Sequence, residues 1–345
     1  MQLVRQKEEF RPVGPPESLG PPQSLGPSGP LGASASRGAP RPPRAPRTRR
    51  TPCLVLAGLV AAALASGCAA EEPGGGRHGS KPAGGSQAYQ NDAARALAGY
   101  SDQLKEAQAA RVAATKKWKL AKVPLAAPAP PAVKPKITNR PGFETDGGDS
   151  LPPVFTTVPT KKRIVFLTID DGAEKDPALL KMMQELRIPY SAFLSDYLVR
   201  TDYPYFKRMQ GLGVTLNNHT LNHRYMPALS YDTQHHEICD QQDKIEKWAG
   251  KRPRLFRPPY GNYNEDTLRA AQSCGVKAVP LWAAEAFPDH MEWREWDRDL
   301  HPGDIILTHF RGREDWKGTM PDMIRNVMKV VTDKGYAVAR LEDYV

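Results

Sequence analysis

Residues 163–188, RIVFLTIDDGAEKDPALLKMMQELRI, decide the fold. The run RIVFLTI is short, apolar and rich in β-branched residues, which reads as a strand covered on both faces. Asp176 and Pro177 then stand where a helix N-cap and first turn want them, and the apolar residues that follow keep helical spacing. A buried strand feeding a helix is the repeating unit of parallel α/β architecture. The same alternation continues downstream: YSAFLS (190–195), helix YPYFKRMQGLG (203–213), VTLNN (214–218) and helix YDTQHHEICDQQDKIEKWAG (231–250). It goes on through RLF (254–256), a helix over 264–275 capped by Asn264 and stopped by Gly275, VKAVPLW (276–282), DIILTH (304–309), helix 320–335 and AVARL (337–341). About seven strands, each feeding a helix, predict a distorted seven-stranded (β/α) barrel over residues 161–345.

Upstream the composition changes. Most of the 34 Pro and 28 Gly precede residue 150, so one folded domain is expected despite 345 residues. Of the net charge of +10, residues 1–50 contribute +6, and the remaining 39 basic and 35 acidic residues nearly balance. With no block that interleaves clustered Lys and Arg with aromatics, a nucleic-acid partner is excluded. The arginines at 41–50 precede TPCLVLAGLVAAALASGC (51–68), which reads as an export signal rather than a membrane span. Its ending LASGC resembles the lipobox of bacterial lipoproteins, with Cys68 as the acylated residue. That implies a membrane partner through a lipid anchor, at the outer face of the cytoplasmic membrane. Residues 1–67 are thus expected to be a signal peptide with an unusually long basic n-region, 68–87 a flexible linker, 88–123 a solvated helical spacer and 124–160 a Pro/Gly-rich linker. For Cys239 and Cys274, a disulfide and two buried thiols both fit.

The polar residues of the catalytic-domain stretch gather at the ends of the expected strands. Asp170 and Asp171 end the first, His219 and His223 follow the third, Arg257 and Tyr260 the fourth, and Glu285 and His309 the later ones. In a (β/α) barrel those ends form the active face. A carboxylate pair closing an apolar strand needs a cation or hydrogen bonds, and adjacent side chains point differently, so two roles are expected. His219 and His223, four apart, are expected on one side of a helical turn, where two imidazoles and a carboxylate leave coordination positions open. The guanidinium of Arg257 suits a buried carboxylate such as Asp170. His309, at the end of a buried strand, is placed to donate a proton.

The ordered set LTIDDG, NHTLNH, FRPPYG and ILTH resembles the successive motifs of the NodB-homology polysaccharide deacetylases, which remove acetyl groups from amino sugars or acetylated glycans. The resemblance spans about residues 160–345. It implies Asp170 as general base, Asp171, His219 and His223 as metal ligands, Arg257 as the residue that orients the base, and His309 as general acid. Tyr260 corresponds to the residue whose backbone N–H helps hold the oxyanion. One divalent ion is implied, zinc first, cobalt or another divalent ion otherwise. The implied partner is an acetylated glycan, cell-wall peptidoglycan first, O-acetyl xylan or chitin oligomers otherwise, and the enzyme is expected to be a monomer. The family's fourth motif is not legible in LWAAEAFPDHMEWREWDRDL (281–300); Glu285 or Asp289 is expected to replace its acid-tuning carboxylate, with Trp282 lining the pocket. A metal-containing glycan-binding domain without catalysis is the competing expectation.

Overall fold

The computed structural model describes the chain from residue 85 onward, so the expected signal peptide and Cys68 lie outside the described residues. Among the described residues no helix is long and apolar enough to cross a membrane. In chain order the helices are α1 (Gly85–Lys117), α2 (Pro177–Leu186), α3 (Asp196–Val199), α4 (Tyr203–Gly211), α5 (Tyr231–Ala249), α6 (Glu265–Ser273) and α7 (Met320–Asp333). The strands are β1 (Val154–Phe155), β2 (Ile164–Asp171), β3 (Ser191–Leu194), β4 (Thr215–Asn218), β5 (Val279–Pro280), β6 (Ala284–Ala286), β7 (Met291–Trp293), β8 (Ile305–His309) and β9 (Ala337–Ala339).

β2 is the spine. All eight of its residues are buried. It pairs in parallel with β8 on one side, and on the other with β9 along its first half and β3 along its second. Its alternate residues separate cleanly, as a period of two requires. Val165, Leu167 and Ile169 join the cluster formed with α2, α4 and α7, whereas Ile164 and Phe166 join the inner cluster with Phe193, Leu255 and Ile305. Asp170 continues the inward set.

The larger sheet runs β4-β3-β2-β8-β6-β7, with β9 on β2, and a two-stranded sheet joins β1 to β5. Single bridges, Asn218 to Phe256 and Leu255 to Ala278, link the two. The barrel is therefore distorted and not closed by a continuous ladder. The expected strands at 254–256 and 276–282 shrink to these bridges and to β5. Pro253, Pro258, Pro259 and Pro280 crowd that arc, and none of them has an N–H to give. The expected helices all form, with Asp176 capping α2, and Asn264 capping α6.

Two expectations upstream differ. Within the stretch read as a linker, Leu151, Val154, Phe155 and Val158 are buried. The Val279 and Leu281 amides donate to Pro153 and Phe155, so this segment supplies the strand edge that β5 needs. The helical spacer is exposed over most of its described side chains, yet its end docks. Ala114 and Thr115 are buried, and Lys117 Nζ and Trp118 Nε1 both donate to the Glu185 carboxylate on α2. A disulfide joins Cys239 on α5 to Cys274 at the end of α6.

Candidate active site

Asp170 faces the barrel interior and meets Arg257, which is fully buried. Arg257 Nη1 donates to Asp170 Oδ1 (2.7 Å) and Thr168 Oγ1 (2.9 Å), Nε to the Pro280 carbonyl (2.7 Å), and Nη2 to the Leu281 carbonyl (3.3 Å). Burial pulls the guanidinium below its ordinary range, and Asp170 opposes that pull. The fork is thus anchored by β2, by the last residue of β5 and by the residue after it, and it fixes the aspartate's orientation.

Asp171 would face the helices if the strand simply continued. Instead its φ is 81°, and the Gly172 amide donates back to the Asp170 carbonyl (3.2 Å). An i to i+2 hydrogen bond around a positive-φ residue marks a strained γ-turn. Gly172 itself has φ 99°, and a Cβ there would lie 2.4 Å from Val199, so the turn requires glycine. The turn swings the second carboxylate onto the rim beside the first.

The histidine pair departs from expectation. His219 and His223 lie on a loop after β4, with left-handed residues at Thr220 and His223, and not on a helical turn. Polar contacts brace the loop. Ser195 Oγ donates to the His219 carbonyl, His223 N donates to Thr220 Oγ1, and Glu237 on α5 accepts from the Asn222 amide and side chain. His219 Nδ1 is 2.7 Å from the Arg257 carbonyl. That acceptor assigns the proton to Nδ1 and leaves Nε2 for a cation.

His219 Nε2 lies 3.5 Å and His223 Nε2 3.3 Å from Asp171 Oδ1. The three ligand atoms all fall within 4.8 Å of one another. Asp171 Oδ1 is buried and has no hydrogen-bond partner, so a carboxylate oxygen is aimed between two imidazole nitrogens with nothing to satisfy it. This donor set fits a divalent cation. Burial alone would raise the Asp171 carboxyl; the close approach of His219 Nε2 and the charges of His309, His223 and His219 outweigh it and hold it far below the usual range. Burial and the neighbouring His219 push His223 down to about 3, which keeps it neutral and able to ligate. His219 is raised, because Asp170 and Asp171 outweigh its burial.

On the far side of the rim, His309 Nδ1 is 3.3 Å from Glu285 Oε1. Glu285 sits on β6, which forms an antiparallel hairpin with β7 that the strand pattern did not foretell. Asp289 does not take part. It is exposed on the hairpin turn and pairs with His290 (2.7 Å). Trp282 is half-buried against Gly261, where an added Cβ would come within 2.9 Å of its ring. Tyr260 adopts the left-handed region (φ 61°, ψ 8°), and its ring meets His223 edge to face at 4.8 Å.

Two residues at the site escaped the sequence reading. Arg311 Nη2 donates to Asp171 Oδ2 at 2.9 Å, leaving Oδ1 to the histidines; no spacing rule points to a residue two beyond His309. Glu237 had a readable signal. The buried stripe of α5 contains Gln234, Glu237, Gln241 and Gln242, and polar residues on a core-facing stripe imply partners.

The profile of the polysaccharide deacetylase family matches residues 157–279. An uncharacterized protein of Streptomyces coelicolor is 37% identical over 218 residues, which cover 63% of this chain and 87% of that protein. A peptidoglycan-N-acetylglucosamine deacetylase of Bacillus cereus is 28% identical over 171 residues, 46% of this chain and 77% of the relative. Among solved structures, a CE4 family pseudoenzyme from Bacillus anthracis aligns with a TM-score of 0.47 and 21% identity, covering 56% of this chain and 69% of its own, a likeness too slight to carry an argument.

Proposed function

This chain belongs to the polysaccharide deacetylase family, and from that premise we propose that it is a metal-dependent hydrolase removing N-acetyl groups from cell-wall peptidoglycan. Support for that substrate comes from the relatives named for peptidoglycan deacetylation. A relative named chitooligosaccharide deacetylase favours chitin oligomers as the second reading. The observation that carries metal dependence is the buried, partnerless Asp171 Oδ1 between His219 and His223. In this reading Asp171, His219 and His223 hold one divalent ion, zinc in preference to cobalt or another, which when bound supplies Lewis acidity at the reacting carbonyl.

The remaining work falls to the protein's own groups. Asp170 takes the proton of the attacking water, and Arg257, bound to its Oδ1, keeps the carboxylate turned toward the rim. The Tyr260 backbone N–H donates to the oxyanion. His309, held through Nδ1 by Glu285, delivers a proton from Nε2 to the departing amine. The export reading, with Cys68 as acylated residue at the outer face of the membrane, belongs to the same proposal. Cys68→Ser should release the mature protein from the membrane or block its processing; unchanged fractionation and unchanged length would count against an anchor.

Acetate release from peptidoglycan, chito-oligomers and acetylated xylan, with and without chelator, tests the activity. Asp170→Asn should keep the metal and lose turnover by about 10² to 10⁴. A chelator-insensitive rate would remove the metal from the mechanism. Bound metal with no acetate released from any substrate would make the domain a binding module.

A further inference from the structure

The end of the barrel opposite the rim, where β3, β4 and residues 254–256 and 276–278 begin, carries a surface the chemistry does not use. Two adjoining grooves of about 530 and 410 Å³ share Gly213, Val214 and Arg340 there. Their walls combine positive charge with apolar side chains. Arg111, Arg187, Lys251, Arg254 and Lys277 line them, and among the described residues none of the five forms an ion pair. Arg111 and Arg187 are close enough to repel each other. Acidic side chains are sparse: Glu342 faces Arg340 at 3.7 Å, Asp343 is the other in the lining, and Lys134 donates to the Val345 main-chain oxygen. Arg252, also in the lining, is matched by Asp243 and Glu246. Among the charges stand three exposed apolar residues. Leu125 (49% exposed) and Leu212 (43%) line the first groove, and Val133 (84%) adjoins Lys134 of the second.

We propose that this face docks on a bilayer surface rich in anionic phospholipid, with the exposed Arg187, Lys251, Arg254 and Lys277 over the headgroups and Leu125, Val133 and Leu212 in the interfacial layer. The charge selects an anionic membrane over a neutral one. The apolar residues select a bilayer over a dissolved polyanion, which would leave them in water. Docked this way, the catalytic rim faces away from the membrane. The inference needs neither the catalytic reading nor acylation of Cys68.

The test uses the full chain with Cys68→Ser in every arm, so that a lipid anchor cannot contribute. Binding is measured to vesicles of phosphatidylcholine alone and of phosphatidylcholine with phosphatidylglycerol. The basic residues before position 51 are common to all arms, so the difference between variants is what is read. Lys251→Gln/Arg254→Gln/Lys277→Gln should lose roughly a hundredfold in affinity for the anionic vesicles, about fivefold per charge, and leave binding to neutral vesicles unchanged. Leu125→Ser/Leu212→Ser should weaken anionic-vesicle binding while leaving its salt dependence intact. Both variants should keep the parent's thermal melt. Affinity of the triple variant equal to the parent's would overturn the proposal. So would a serine variant that binds anionic vesicles like the parent while inorganic polyphosphate displaces both, which would indicate a site for soluble polyanions.

Discussion

Asp170 and Arg257 form a buried pair in which each makes the other tolerable. The arginine is fully buried and its side-chain hydrogen bonds go to β2 and to the Pro280 and Leu281 carbonyls, so removing it strands a carboxylate in the barrel. Arg257→Met keeps much of the volume and removes the charge. It should cost about 3–5 kcal/mol, the usual consequence of leaving one buried partner alone, as measured by urea denaturation. A loss below about 1 kcal/mol would mean that water reaches Asp170 and that the pair is not the enclosed device its distances imply. One position further, Asp171 shows the complementary strategy: a backbone held at φ 81° aims the side chain, and Gly172 makes that possible.

At the scale of elements, α7 shows how a helix end couples to pH. Thr319 and Asp322 form a capping box, in which Thr319 Oγ1 accepts from the Asp322 amide and Asp322 Oδ2 accepts from the Thr319 amide. Burial would raise the Asp322 carboxyl, but the Thr319 hydrogen bonds and Arg325 outweigh it and hold it at about 2. Its folded value lies below the unfolded one, so the cap's contribution is complete above about pH 4 and is lost as pH falls toward 2. Asp322→Asn should therefore lower the melting temperature at neutral pH, with the gap to the parent closing between about pH 4 and about pH 2. Thr319→Ala should cost about 1 kcal/mol at neutral pH. A gap for Asp322→Asn that stays constant through acid would show that the carboxylate's charge plays no part.

The whole molecule depends on residues that compositional reading assigns to a linker. Leu151, Val154, Phe155 and Val158 are buried, and each contributes about 1.5–3 kcal/mol through burial. Their sum rivals the total stability of an ordinary domain, about 5–15 kcal/mol. A chain beginning at residue 161 should consequently fail to fold, whereas one beginning at residue 105, which keeps the docked end of α1 and all of β1, should melt as the longer protein does. Thermal melts by circular dichroism decide this. A cooperative melt for the shorter chain, near that of the longer, would show that the β1–β5 pair is dispensable.

The sequence by itself determined the alternation of strand and helix, the caps at Asp176 and Asn264, and the gathering of Asp170, Asp171, His219, His223, Arg257 and His309 at strand ends. These follow from local rules: apolar period, cap chemistry, and the geometry that puts successive strand ends on one rim. Only the tertiary structure decided what depended on distant partners. It chose Glu285 over Asp289 as the carboxylate at His309, because the β6–β7 hairpin carries the first to the rim and leaves the second in solvent at its turn. It brought Arg311 onto Asp171, joined Cys239 to Cys274, and turned a proline-rich segment into a strand. It also put the two histidines on a braced loop, where a spacing of four had suggested a helical turn. In each case the deciding energy is a contact between residues far apart in the chain, to which periodicity and composition are blind.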